Sequence, residues 1–446
     1  MKLNYKNTFL AGLGFMAIIA FWQLYDNIIP LILTNTFHLN ETITGVIMAA
    51  DNVLALFLLP LFGNLSDKTN TKIGRRMPYI LIGTAVTIIL LNLLPMIDNG
   101  VAAFSSASFY SLPAFIVVLG LLLITMSTYR SPAVALMPDI TPKPLRSRGN
   151  AIINLMGATG GIIYLAFTAI AYPKSKTEGL THVDYKLLFT FMAIFMAVCM
   201  VIMFVFLREP KLAAENDRIE KEHPEWDLTE ETTSGNAVLP KAVKKSMYFL
   251  LASIALWYIG YNAVTTWFTT YVSVIMGEGI GGASTCFLIA NAGAIVSYIP
   301  LGILAAKIGR KKSIYFGTLL LTASFLLCVI LLNNATSIPV FAYVIFAMIG
   351  VAWAAISVNS LPMMVEMCKG SDSGKFTGLY YTASMAGQVV TPILAGFLMR
   401  NISYKILFIY ATLFSFASFI TMIFVKHGDV KATPAKGLEA FNALDD

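Results

Sequence analysis

The sequence predicts an all-α membrane protein, with twelve transmembrane helices arranged as two pseudo-symmetric six-helix halves. Three observations predict it. Over 446 residues the composition is 57% apolar and 12% charged, against roughly 45–50% and about 25% in soluble domains. Twelve apolar segments recur along the chain, each near the about 20 residues that a bilayer core requires. The two sets of six also share matched residues at near-constant offsets, the mark of an internal duplication.

In chain order, apolar runs predict spans at 8–36, 42–65, 77–96, 113–138, 148–172 and 187–207. A second six follows at 246–275, 282–306, 313–332, 338–366, 376–399 and 403–425. The first run is too long for a signal peptide's apolar region and lacks a small-residue cleavage site, so it is expected to stay as a helix. Basic residues delimit the others. Lys68, Lys72, Arg75 and Arg76 separate the second span from the third, Lys143, Arg146 and Arg148 the fourth from the fifth, and Lys307, Arg310, Lys311 and Lys312 the eighth from the ninth. The polar stretch from Arg208 to Lys245 is the only long charge-rich segment. The expected organisation is therefore an N-terminal bundle at 1–207, a cytoplasmic linker at 208–245, a C-terminal bundle at 246–427 and a cytoplasmic tail at 428–446.

An even number of spans puts both ends on one side, and loops rich in Lys and Arg stay in the cytoplasm. Twenty-five of the 31 Lys and Arg residues fall on the side of the termini, and five on the other. Both termini are expected in the cytoplasm of a cell-membrane protein. The net charge of +7 thus reads as topology and not as a nucleic-acid partner. Cys199, Cys286, Cys328 and Cys368 are far apart and lie mostly in apolar stretches, so they read as packing residues. His38, His182, His223 and His427 are scattered in loops or near helix ends, and no metal site, cofactor or catalytic set is expected.

Three pieces of the halves match. Trp22 and Asn27 in the first span recur as Trp257 and Asn262 in the seventh. Gly63 with the run ending in Gly74, Arg75 and Arg76 is echoed by Gly302, Lys307, Gly309, Arg310, Lys311 and Lys312. Asp139, Arg148 and Gly160 recur 227 residues later as Glu366, Lys375 and Gly387.

The stretch from Gly63 to Ile80, G-N-L-S-D-K-T-N-T-K-I-G-R-R-M-P-Y-I, resembles the loop after the second helix of the major facilitator superfamily. Its length, with Gly63, Ser66, Asp67, Gly74, Arg75, Arg76 and Pro78, is similar to the form in sucrose transporters and the related glycoside-pentoside-hexuronide cation symporters. The second-half loop, Gly302 to Lys312, resembles the general form of that superfamily, except that Ala306 stands in place of the acid. The resemblance implies a gate at the cytoplasmic face. Asp67 would meet the positive end of the eleventh helix, and Arg75 and Arg76 would pair with Asp139. Gly63, Arg148, Gly302, Arg310 and Glu366 complete the gate set, whose second half is expected to be the weaker. Melibiose-type relatives carry acids of a sodium site where this chain has Ala55, Leu59 and Arg130, so sodium coupling of that type is not expected. Plant sucrose transporters keep an arginine where this chain has Val134, one helical turn from Arg130.

A charge near the middle of a span costs at least about 2.5 kcal/mol, so it persists where it lines a cavity or has a partner. Asp26, Asp51 and Arg130 are the three that stand clear of span ends. The two acids lie about 15 Å below the outer ends of their helices and Arg130 about 12 Å above the inner end of its own. Two carboxylates and a fixed cation sharing a low-dielectric cavity can exchange a proton, the design of a proton-coupled carrier. A fixed structural ion pair is the alternative for these residues.

A saccharide offers hydroxyls to polar side chains and apolar ring faces to aromatic ones. Trp22, Gln23 and Asn27 in the first span, and Trp257, Tyr261, Asn262 and Thr266 in the seventh, combine both types. Gln23 and Asn27 share a helix face at i and i+4. Asn52, Asn291, Asn359 and Gln388 add further amides. Interface anchoring and helix-to-helix bonding remain the alternatives for each. The expectation is a non-enzymatic secondary active transporter that brings in a small saccharide, a disaccharide such as maltose or sucrose, with a proton. It would work by alternating access, as a monomer in lipid. An uncoupled facilitator or exporter of another polar solute, and a membrane-embedded sugar sensor, stay open.

Overall fold

The computed structural model describes residues 3–103, 111–142, 145–177, 180–223, 240–367 and 373–428. Cys368, the side chain of Lys375, residues 224–239 of the expected linker and the tail beyond 428 lie outside the described residues. The described residues are helical throughout their regular structure. Among the described residues, twelve helices are long and apolar enough to cross a membrane. Helices meet that demand because every backbone N–H and C=O is satisfied within the segment, where lipid offers no partner.

The elements are α1 (Tyr5–Leu31), continued by a π-turn (Ile32–Thr36), α2 (Glu41–Asp67), α3 (Met77–Ala103), α4 (Leu112–Asp139), α5 (Arg146–Ala171), a short α6 (Lys174–Thr177) and α7 (Lys186–Phe206). After α7 come α8 (Glu209–Glu222), α9 (Lys241–Met276), α10 (Ile280–Ile308), α11 (Arg310–Leu332), α12 (Val340–Val365), α13 (Ser373–Asn401) and α14 (Ile406–Ile423). Each expected span corresponds to one long helix. Two differences matter later. The expected third span stops at 96, whereas α3 continues through Asp98 and Asn99 to Ala103. Within the expected linker, Glu209–Glu222 forms the charged helix α8.

Local chemistry sets several ends. The Asn4 side chain accepts the Asn7 N–H at 3.2 Å and caps α1, and Ser111 caps α4 ahead of Pro113. Pro30 removes a donor from the end of α1. The ladder there widens, so that Phe37 N–H donates to the Ile32 carbonyl at 3.2 Å, a π-turn spacing. Gly277, at φ +61°, ends α9 in the left-handed conformation.

The chain divides into two compact units, one of Met1–Asn40 with Ala50–His223, the other of Glu41–Ala49 with Pro224–Asp446. In the first, α1 packs on α5, α7 and α4, and α3 packs on α4 and α7. In the second, α9 packs on α13 and α14, and α12 on α10 and α11. The helix pair carrying the duplicated glycine is close in both units. A β-carbon on Gly160 would lie 2.1 Å from the Met16 carbonyl oxygen in α1, and one on Gly387 would lie 3.0 Å from the Ala255 carbonyl oxygen in α9. Small residues allow such backbone approach in membrane bundles.

Candidate functional site

In the first unit, α1, α2 and α4 bring the expected charged residues together. The Arg130 guanidinium carbon lies over the Trp22 ring, 5.6 Å from its centroid, within cation–π range. Asp51 interacts electrostatically with Arg130 and with Asp26. The Asn52 amide donates to Asp51 Oδ1 at 2.8 Å. Trp22 is held edge-on by Phe21 and Tyr25, at centroid distances of 5.2 and 5.4 Å. Its indole N–H is buried and has no hydrogen-bond partner among the described residues. Trp22, Gln23, Asp26, Asp51, Asn52 and Arg130 are all half-buried, whereas the α1 face bearing Leu24, Tyr25 and Ile28 is closed into the core. Asn27 is buried too, and its amide donates to the Gln23 carbonyl one turn back at 2.8 Å.

The second unit places its expected residues differently. Trp257 is wholly enclosed, with its N–H unpartnered, so the duplicated Trp/Asn pair has one half-exposed ring and one core ring. Tyr261 stacks face to face on Trp353 of α12, with centroids 3.9 Å apart and planes at 14°. Tyr258 meets the same indole edge-on at 5.3 Å. The sequence reading missed Tyr258 and Trp353. It took aromatic residues only from the first and seventh spans, and a lone Trp in the apolar tenth gave no periodic signal. Asn262, Asn291 and Asn359 each donate their amide to the carbonyl four residues earlier, all at 2.9 Å. Thr266 is buried and Gln388 half-buried.

The loop between α2 and α3 is a charge network. Asp139, just past Pro138 at the end of α4, accepts Arg75 at 2.8 Å and Arg76 Nε at 2.7 Å. Arg76 also reaches the Asp67 carboxylate, the Ser66 hydroxyl and the Gly63 carbonyl at 3.3 Å. Burial lowers the pKa of Arg76, but the hydrogen bonds and charges of Asp139 and Asp67 outweigh it and the net shift is upward. The guanidinium is thereby fixed as a cation.

Glu209 at the start of α8 completes this network, and the sequence reading left it in the linker. Its carboxylate is buried and accepts three backbone N–H groups: those of Arg75 at 2.7 Å, Arg76 at 2.8 Å and Met77 at 2.8 Å. These are donors at the start of α3, where the helix dipole favours an anion. Gly74, at φ +121°, turns the chain here, and a β-carbon on it would fall 2.2 Å from the Glu209 carboxylate. Further along α8, Asn216 donates to the Asp139 carbonyl at 3.2 Å, and Glu220 pairs with Arg146 at 2.8 Å. Arg148, expected in the gate, is exposed. In the second unit the corresponding feature is smaller, an ion pair between Arg310 and Glu366 at 2.5 Å, with Gly302 one and a half turns before the end of α10.

The duplicated loops and the twelve helices lead to the comparison with known proteins. A family model for the Major Facilitator Superfamily matches residues 11–297 and 277–443. The chain belongs to the Major Facilitator Superfamily. It is accordingly a multi-pass membrane transporter and not an enzyme. Among curated proteins it is similar to a sucrose transport protein of Arabidopsis thaliana, 26% identical over 212 residues, covering 43% of this chain and 35% of that protein. A sucrose transport protein of Oryza sativa subsp. indica is 28% identical over 138 residues, covering 29% of this chain and 27% of that protein. The match thus spans about a third or less of the length of these relatives. Among solved structures, the xylose transporter of E. coli in an inward-open conformation superposes with a TM-score of 0.68 at 14% identity, covering 99% of both chains. A nucleoside transporter superposes at 0.67 with 12% identity, covering 94% of this chain and 99% of that one. At these identities the structural likeness is one of fold.

Proposed function

We propose that this transporter carries a small saccharide into the cell together with a proton, the saccharide being a disaccharide such as sucrose or maltose. The observation that carries the reading is the group formed by Trp22, Arg130, Asp51 and Asp26 in the first unit. An aromatic ring beside a guanidinium offers an apolar surface for a sugar ring and charged N–H donors for its oxygens. Two carboxylates coupled to each other and to Arg130 offer a place for a proton beside it. When one carboxylate takes the proton, Arg130 is released toward the other partner or the sugar. Protonation and sugar binding then favour the same transition, and each ligand tightens the other. Within the second unit, Tyr261 and Trp353, with the amides on α9, α10 and α12 and Gln388 on α13, are further candidates for binding saccharide.

The partial likeness to plant sucrose transport proteins supports the substrate class. The basic-residue bias supports a cell-membrane protein with both termini in the cytoplasm, and the network around Asp139 is then a cytoplasmic gate. Bundles at 1–207 and 246–427, acting in a monomer, would perform alternating access. A second reading, an uncoupled facilitator, is favoured by the Asn52 amide on Asp51, which suits a permanent pair with Arg130.

The deciding experiment is uptake of radiolabelled sucrose and maltose into proteoliposomes, with and without an inward proton gradient, for wild type, Asp26→Asn and Asp51→Asn. Accumulation above equilibrium in wild type, reduced to equilibration in one variant, is the expected result. Uptake indifferent to the gradient would replace symport by facilitation, and no uptake of either sugar would remove the substrate assignment.

A further inference from the structure

A second cluster of ionisable groups sits at the end of the first unit remote from the α2–α3 loop, the end that the proposed topology places outside. Asp98, near the end of α3, is completely buried. The Thr36 side chain on the π-turn faces it, yet among the described residues no hydrogen bond of ordinary geometry reaches either carboxylate oxygen. His182 Nε2 lies 3.9 Å from Asp98 Oδ2, and among the described residues no Lys or Arg comes within ion-pair distance of that carboxylate.

His182 bridges the neighbouring segments. Its Nε2 sits 2.8 Å from Asn99 Oδ1, a position for an N–H donor. Its Nδ1 lies 3.5 Å from the Thr36 hydroxyl. The Asn99 amide in turn donates to Asp184 Oδ1 at 2.7 Å. Asp184 also accepts the Lys186 N–H at 2.8 Å, and its carbonyl accepts the Tyr172 hydroxyl at 2.6 Å. The connection between α5 and α7 is thus fastened to α3 and to the π-turn through the His182 ring and Asp184. The other titratable groups facing the pair are Asp184, which acts on both members, Tyr185, which feels Asp98, and Tyr172 beside it.

An enclosed carboxylate without hydrogen bonds is stable only when neutralised, by a proton of its own or by an adjacent cation. Both solutions are one proton on the Asp98–His182 pair, differing in where it rests. The imidazole side chain is 24% exposed while the carboxylate is sealed, so the ring is the point of entry from water.

We propose that Asp98 and His182 form a second proton-binding site, holding one exchangeable proton taken from the outer aqueous phase and separate from the Asp26–Asp51–Arg130 group. With the proton on the carboxyl, neutral His182 keeps its bond to Asn99. With the proton on the ring, Nε2 turns across the 3.9 Å gap to pair with the Asp98 carboxylate. A proton taken onto the ring draws Nε2 away from Asn99 and loosens the segment fastened there, making this end of the first unit responsive to external pH.

The test is an infrared pH titration of the carboxylic-acid carbonyl stretch, on the full chain in lipid nanodiscs, across and beyond about pH 5–8, the range in which histidine pairs titrate. Asp98→Asn is expected to remove one pH-dependent band. His182→Gln is expected to move the midpoint of that band by about one pH unit or more, the effect of a charge partner at this range. Asp98→Glu keeps the carboxyl and shifts the band's frequency, which identifies it should Asp98→Asn fail to fold. A band with the same midpoint in His182→Gln as in wild type, or no pH-dependent band that changes with Asp98, overturns the proposal. The readout needs no transported substrate, so it stands or falls apart from sugar symport.

Discussion

Glu209 caps a helix that begins 132 residues before it: its Oε2 accepts the Met77 N–H at 2.8 Å while Oε1 takes the two preceding N–H groups. One carboxylate from the connecting segment therefore satisfies the first N–H of α3 and the two just before it, and holds α8 against the α2–α3 loop. Glu209→Ala leaves those donors buried and unpaired. Such a loss costs about 1–3 kcal/mol, and a lower midpoint of thermal unfolding in detergent is expected, with a smaller drop for Glu209→Gln, which keeps one acceptor.

The two acids that hold Arg76 differ in exposure, and their removal should differ accordingly. Asp139 is 13% exposed and Asp67 57%. Asp139→Asn removes charge-assisted bonds to two arginines and is expected to destabilise by about 1.5–3 kcal/mol. The exposed Asp67→Asn pair should cost no more than about 1 kcal/mol. Unfolding of the two variants side by side measures the difference, and equal losses would contradict this account of the network.

Neighbouring glycines on α5 give an internal control on packing. A β-carbon at Gly160 meets a backbone oxygen at 2.1 Å, while one at Gly161 finds its nearest atom at 3.4 Å. Gly160→Ala is expected to cost about 1–3 kcal/mol through overpacking. Gly161→Ala should be neutral or stabilising, by up to about 1 kcal/mol from helix propensity. Comparative thermal stability of the purified variants decides it.

The cation–π pair yields a transport prediction. An interaction of this kind is worth about 0.5–2 kcal/mol. If the Trp22 face also takes the sugar with a similar energy, Trp22→Ala should raise the KM for uptake by about 2- to 30-fold, and Trp22→Phe by less. A KM unchanged in both variants would remove Trp22 from the substrate site.

Acid should weaken the fastening at His182. Burial lowers the pKa of this ring and Asp184 raises it, for a net downward shift. A folded-state value below the unfolded one means that the unfolded chain binds the extra proton more readily. The stabilising contribution is therefore complete above the ordinary value of about 6.5 and is lost as pH falls through it and on through the lowered folded value. Thermal midpoints of wild type should fall over that window by more than those of His182→Gln.

Most of the fold was legible because lipid leaves few choices. An apolar run of span length must be a helix, and turn residues and basic loops mark where each ends. The helix α8 was not legible, since Glu209–Glu222 is charged almost throughout and its order comes from Glu209, Asn216 and Glu220 meeting partners far away in the chain. The end of α3 was also missed. The apolar run ends at 96, yet the helix runs on to Ala103 with Asp98 turned into the interior. In the candidate site, Asp26, Asp51 and Arg130 announced themselves as isolated charges in apolar surroundings. Trp353 did not, because its distinction from bulk apolar packing lies in the stack with Tyr261, a contact between helices 92 positions apart.

The approach at Gly160 bears on how motion in the first unit is to be observed. With the Met16 carbonyl in van der Waals contact with the α5 backbone, and the Phe15 and Ile19 side chains seated over Gly157, α1 and α5 have no slack to slide as independent rods. They are expected to move as one body. A spin label or fluorophore on the lipid side of α5 then reports the displacement of Trp22 and Asp26 on α1, without any probe being placed among the residues proposed to hold substrate and proton.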